Sequence, residues 1–179
     1  MKHLHTLLIV LLFPLFLLSG CNSYHYHVSD NGVTINMSPS FPGDVRTVHL
    51  QVINDRIIRV IATPERRISL KTGMMCAYGN PQEEGWTVKE TGDTLMLETK
   101  ALKALVSLHT GAITFLDTTG NTLLRETEGG GKTFTPLSID GDEGYSFRQV
   151  FESPSNEAFY GLGQHQSDVF NYKGKNEVL

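Results

Sequence analysis

An all-β fold is what this sequence predicts, and three observations carry it. Apolar and polar residues alternate with period two in segment after segment. These segments recur about every ten residues, between turns rich in glycine, asparagine and aspartate. No stretch holds a helical period for more than a turn. That spacing favours a β-sandwich or barrel. The chain has 179 residues, enough for one domain with a real core. Its formal charge of −4, with no local cluster of Lys or Arg, argues against a nucleic-acid partner.

The first twenty residues stand outside the fold. Lys2, His3 and His5 precede an apolar run from Leu7 to Leu18 that only Pro14 interrupts. The run is shorter than the roughly 20 residues a helix needs to span a bilayer, so it reads as the core of a signal peptide. It ends in Leu18-Ser19-Gly20-Cys21, which resembles a bacterial lipobox, where small residues fit the protease cleft and the cysteine is acylated. A plain signal peptide followed by a chance cysteine is the weaker reading. The expected organisation is a lipoprotein signal peptide over 1–20, a linker over 21–30 after lipidated Cys21, and a β-domain over 31–179. With Cys21 lipidated, Cys76 has no disulfide partner and reads as a small buried residue. The expected location is the cell envelope, anchored to the outer membrane and facing the periplasm. Asn22 is not the acidic residue associated with inner-membrane retention, and no acidic run follows Cys21.

Asn22–Asp30, with His25 and His27, suits a short linker or first strand better than a metal site. Gly32–Met37 alternates as a strand and stops before Pro39 and Pro42. Val48, Leu50 and Val52 alternate with Thr47, His49 and Gln51, which puts His49 on a polar, exposed side. Asn54-Asp55 turns the chain, and Ile57–Ala62 returns as the second arm of a hairpin. Trp86 and Val88, then Leu95 and Leu97, frame two strands around Thr91-Gly92-Asp93. Leu102–Leu108 and Ile113–Asp117 continue the meander, with Leu105 on the polar side hinting at cover on both faces. Glu126–Gly144 reads as a loop. Its triplet Gly129-Gly130-Gly131 lacks the Lys-Ser/Thr and helix of a phosphate cradle. Asp140, Asp142 and Glu143 lack calcium-loop spacing and read as a solvated acidic turn. Tyr145–Glu152 reads as a strand, Ser153–Asn156 as a turn, and Ala158–Leu162 as a last strand.

No catalytic motif stands out. There is no Gly-x-Ser-x-Gly elbow and no His-Glu-x-x-His, and Ser167 lies too close in sequence to His165 and Asp168 to suggest a triad. No cofactor and no metal is called for. The residues alone leave function open.

The run Tyr145–Phe151, the Ser-Pro-Ser-Asn turn, and Glu157-Ala158-Phe159-Tyr160-Gly161-Leu162-Gly163-Gln164-His165-Gln166 resemble glycoside hydrolase family 31. More narrowly, they resemble the domain that precedes its catalytic barrel. Asn171-Tyr172-Lys173-Gly174-Lys175 resembles the form seen in bacterial α-xylosidases and their relatives. The likeness is sharp over 145–175 and architectural over 28–144. It implies a β-sandwich of galactose-mutarotase-like type, incomplete at its C-terminus, packed on a (β/α)8 barrel that bears both catalytic aspartates. It implies a retaining exo-acting α-glycosidase with an oligosaccharide substrate, and a segment that is inactive alone with no catalytic residue of its own. A loop of this domain reaches the pocket rim in that family. By position the substrate-contact candidates are Gln164, His165, Phe170, Tyr172 and Lys173, and packing against the barrel is the alternative role for each. A stand-alone carbohydrate-binding or structural lipoprotein is the alternative for the whole chain.

Overall fold

The computed structural model describes residues 25–39, 43–70, 85–161 and 169–175. Cys21, Cys76, Gln164 and His165 lie outside them. Eleven strands and no helix form among the described residues. Four make one antiparallel sheet in the order β1 (His25–Ser29), β2 (Gly32–Asn36), β3 (Thr47–Asn54), β4 (Ile57–Thr63). Five make a second meander: β5 (Thr87–Thr91), β6 (Thr94–Glu98), β7 (Leu102–Ser107), β8 (Ile113–Asp117), β9 (Thr122–Arg125). A separate hairpin joins β10 (Lys132–Ile139) to β11 (Asp142–Gln149). This is an all-β sandwich. Of the two readings of 22–30, the first-strand one holds for His25–Ser29, which pair with β2.

The period-two pattern does what it should. Val33 and Ile35 of β2 and Val48, Leu50 and Val52 of β3 share one buried cluster with Leu95, Leu97, Ala104, Val106 and Ile113 of the second sheet. Each fully buried aliphatic side chain contributes roughly 1.5–3 kcal/mol over leaving it in water. The layers are also tied at their turns: Thr99 Oγ1 donates to the Asp55 carbonyl at 2.7 Å, joining the β6–β7 connection to the β3–β4 turn.

Three expectations are corrected. His49 is fully buried, because β3 is an inner strand and its register sets the ring between Thr34 of β2 and Ile61 of β4. Its Nδ1 lies 2.8 Å from Thr34 Oγ1. The expected loop 126–144 contains β10, whose Pro136 is tolerated because the two-stranded ladder has a free edge. Asp140-Gly141 is its two-residue turn, and both residues have positive φ (53° and 92°), as a type I′ hairpin requires. Finally, Ala158–Gly161 form no strand. Phe159 bonds through its backbone to Asn171 and Tyr172 instead of to a ladder, and Gly161 leaves the extended region at φ 70°.

The hairpin is fastened at its base. Glu126 bridges Phe151, Glu152 N–H donates to the Arg125 carbonyl at 2.9 Å, and Phe134 N–H donates to the Gly43 carbonyl at 3.0 Å. A Cβ on Gly43 would stand 2.2 Å from the Phe134 carbonyl oxygen, so only glycine permits that approach.

Candidate functional site

The polar–aromatic segment that follows the hairpin is built around one side chain. Asn171 Oδ1 accepts from Lys173 N–H at 3.0 Å, closing a local turn, and from Phe159 N–H at 3.1 Å, joining two stretches of chain. Tyr172 N–H donates to the Phe159 carbonyl at 2.9 Å, and Lys175 N–H to the Tyr172 carbonyl at 2.9 Å. The Lys173 ammonium reaches back to the Pro154 carbonyl. The result is a staple that carries two aromatic rings outward.

Those rings are Tyr160 and Phe170, with centroids 4.7 Å apart and planes 44° from parallel. Phe170 is 81% exposed and Tyr160 55%. Together the two rings present exposed apolar surface beside a hydrogen-bonded turn. Of the sequence candidates, then, Phe170 is presented outward and Lys173 is committed to a backbone carbonyl. Tyr172 is 9% exposed, so its ring packs inward. Gln164 and His165 fall outside the described residues. Sequence reasoning missed Tyr160 as Phe170's partner and Asn171 as the organiser. The second had a signal, since Asn followed two residues later by a free N–H is an Asx-turn pattern.

A second cluster lies under the base of the hairpin. Glu126 and Lys132 form an ion pair whose side chains are 4% and 2% exposed. Glu126 Oε2 also accepts from Ile113 N–H at 3.0 Å, and Lys132 Nζ donates to the Gly111 carbonyl at 3.2 Å. Burial pushes the Glu126 carboxyl up and the Lys132 ammonium down, and each is opposed by the other's charge. Gln149 faces the same carboxylate, its Nε2 buried and outside hydrogen-bonding geometry. Beside them lies a cavity of about 370 Å³, lined by Arg59–Ala62 of β4, Phe115, Phe134, Phe147, Gln149 and Phe151. Neither cluster places two free carboxyl groups across an open pocket. Among the described residues no group of three or more His, Cys, Asp or Glu is placed to hold a metal ion.

Residues 47–178 match the family model of the glycosyl hydrolase 31 N-terminal galactose mutarotase-like domain. The chain belongs to that family. Among solved structures it is similar to an α-xylosidase of glycoside hydrolase family 31 from Xanthomonas citri, at 35% identity and a TM-score of 0.72, over 83% of this chain and 16% of that one. It shares its fold with a cycloalternan-forming enzyme from Listeria monocytogenes, solved with a pentasaccharide substrate. There the identity is 21% and the TM-score 0.65, over 84% of this chain and 13% of that one. A family-31 α-xylosidase from a soil metagenome, complexed with xylose, shares the fold at 20% identity and a TM-score of 0.57, over 84% and 24% of the two chains. The chain therefore spans a sixth of the Xanthomonas enzyme's length.

Proposed function

We propose that this chain is the N-terminal β-sandwich of an exported, lipid-anchored, retaining α-glycosidase of α-xylosidase or α-glucosidase type. The enzyme removes terminal α-linked sugars from oligosaccharides. The observation that carries the reading is the 35% identity with a family-31 α-xylosidase across 83% of the chain, well beyond what fold alone requires. The catalytic carboxyl pair of a retaining glycosidase sits about 5 Å apart. On this reading it lies on the barrel, and the present domain supplies support and a rim. Phe170 with Tyr160 is the part of that rim suited to an apolar sugar face or to the barrel wall. Gln164 and His165 are proposed as hydrogen-bonding neighbours there. Cys21 is proposed as the lipidated residue that holds the enzyme at the outer membrane, facing the periplasm.

The test is enzymatic. The reading frame beyond codon 179 is read, and its product is assayed on p-nitrophenyl α-xyloside and α-glucoside. A barrel and release of p-nitrophenol are expected from the longer product, and no release from residues 1–179. Turnover by purified 1–179, or a frame that ends at Leu179, overturns the reading. Labelling with radioactive palmitate should mark the wild type and spare Cys21→Ser.

A further inference from the structure

We propose that Arg46 and Arg66 form an oxyanion site at one end of the first sheet, and that it takes the phosphate of an anionic lipid headgroup. The site itself stands on the described residues. The choice of a lipid as the bearer of that phosphate rests on the anchoring of Cys21 proposed above.

Arg46 is fixed by its backbone. Its N–H donates to the Thr63 carbonyl at 2.9 Å, and its carbonyl accepts from Met37 N–H at 2.7 Å. Arg66 follows a pinned turn, where Thr47 Oγ1 donates to the Glu65 carbonyl at 2.8 Å and Glu65 N–H donates to Thr63 Oγ1 at 3.1 Å. Both arginines line a cavity of about 640 Å³ together with Asn36, Met37, Ser38 and Pro39. The Nε of Arg46 is buried and has no hydrogen-bond partner. A buried guanidinium donor left unpaired is costly, and an acceptor in the cavity would relieve it.

The chemistry selects an anion. Two guanidinium groups line the cavity, the Asn36 amide and the Ser38 hydroxyl add neutral donors, and among the described residues no carboxylate lines it. The carboxylate next to Arg66 in the chain, that of Glu65, accepts from the Tyr145 hydroxyl at 2.7 Å. The ion pairs among the described residues involve neither Arg46 nor Arg66. Planar guanidinium forks match phosphate oxygens two at a time. Because the whole chain is formally −4, this local excess of cations is not a by-product of a basic surface.

The position selects a lipid as the source. His25, Asn36, Thr47 and Thr63 lie side by side across β1 to β4, at the same end as the cavity. Strands in a sheet lie about 4.8 Å apart, so the start of β3 is about 10 Å from that of β1. Cys21 precedes His25 by four residues, a reach of at most about 14 Å. An acyl chain on Cys21 would therefore bring this end of the sheet to the headgroups, where clustered arginines are attracted to anionic lipid.

The experiment compares the full 179-residue chain with its Arg46→Gln, Arg66→Gln and Arg56→Gln variants. Arg56 is exposed in the β3–β4 turn, at the opposite end of the same sheet, and matches the change in charge. Each protein is titrated calorimetrically with inorganic phosphate, then sedimented with phosphatidylcholine vesicles that contain or lack phosphatidylglycerol. Phosphate affinity is expected to fall roughly tenfold or more in the first two variants, the loss of a charge-assisted bond, and to hold in Arg56→Gln. The extra binding conferred by phosphatidylglycerol should fall in the same two variants, while insertion of the apolar run 7–18 adds equally to every sample. Equal phosphate affinity in wild type and Arg46→Gln, or equal weakening by Arg56→Gln, overturns the site. A phosphate site that depends on Arg46 and Arg66, with vesicle binding that does not, overturns the lipid assignment in favour of a soluble oxyanion. Both expectations met in a chain whose Cys21 takes no palmitate sustain the proposal and defeat the anchoring reading.

Discussion

The two-sheet body and the region from Glu126 onward are stabilised on different terms. In the body, β6 and β7 alternate buried and half-exposed side chains, and the fully buried aliphatic residues of both sheets belong to one cluster. In the hairpin, β11 is exposed along nearly its whole length although it carries Tyr145 and Phe147. Its buried side chains are the Glu126–Lys132 ion pair at its base and Phe134, which reaches the shared core. The body is a core that closes on itself, whereas the hairpin and the Tyr160–Phe170 pair hold apolar surface out to water. The difference separates a self-contained core from apolar surface left to water.

The largest expected effect lies at the junction of the two regions. Lys132→Met leaves Glu126 buried without its cation, and breaking a buried pair in this way costs about 3–5 kcal/mol. The double change Lys132→Met with Glu126→Gln should recover much of that loss, since desolvating the two charges consumes most of their attraction. Urea midpoints of the four proteins in the cycle check this. Equal loss in the single and double variants would mean that the pair is held by more than its own charges.

Next comes the direct contrast between body and hairpin. Leu97→Ala opens a void in the shared core and should cost about 2–5 kcal/mol. Phe147→Ser removes a larger side chain, yet one that is more than half exposed in this chain, so its effect on unfolding should stay near 0.5 kcal/mol. Its visible consequence should be lower binding of a hydrophobic dye. Comparable losses from the two would show that the hairpin belongs to the same cooperative core.

What the sequence disclosed follows the same division. β2, β6 and β7 were legible because one face of each is buried, and burial is what writes alternation into a strand. β10 was not, because Gly129-Gly130-Gly131 and Pro136 signal loop, and beyond Phe134 the strand is exposed on both faces and leaves only a weak pattern. The Asp-Gly at 140–141 was the signal that should have restored it. The Glu126–Lys132 pair had no signal, since two charges six residues apart on an irregular path meet only through tertiary packing. His49 was misread because alternation tells which side of a strand is polar, without telling whether neighbouring strands cover that side. Of the site, the aromatic and amide composition was legible and the pairing of Tyr160 with Phe170 was not.

His49 supplies a pH test of the body. Burial first, and then the charge of Arg59, lower its proton affinity below the ordinary value of 6.5. The unfolded chain therefore takes up a proton near pH 6.5 that the folded chain refuses. Stability should fall as pH drops below about 6.5, and level off once the folded ring also titrates. His49→Asn should remove that slope, whatever its effect on the absolute midpoint. An unchanged slope between pH 7 and 5 would assign the dependence to another group.

The smallest effect is expected at the far end of the second sheet, where the β8–β9 turn depends on an exposed carboxylate. Asp117 Oδ1 accepts from Thr119 N–H at 2.9 Å, Thr119 Oγ1 at 2.7 Å and Asn121 N–H at 2.9 Å, while Oδ2 accepts from Asn121 Nδ2 at 2.8 Å. Donors to the charged form, those of Thr119 first and then Asn121, hold its pKa well below the ordinary 3.8. The sign is opposite to that of a raised group: the stabilisation is fully present above about pH 4 and is lost as pH falls through the depressed folded value. Asp117→Asn keeps an acceptor for the backbone donors but no charge to titrate, so its unfolding midpoint should fall less steeply than wild type between pH 4 and 2. Because the turn is solvated, the difference should be modest and should shrink in high salt only slightly, its partners being neutral donors. If the two proteins ran parallel through that range, the turn would be held by its backbone geometry, and the body's stability would owe nothing to charge at its rim.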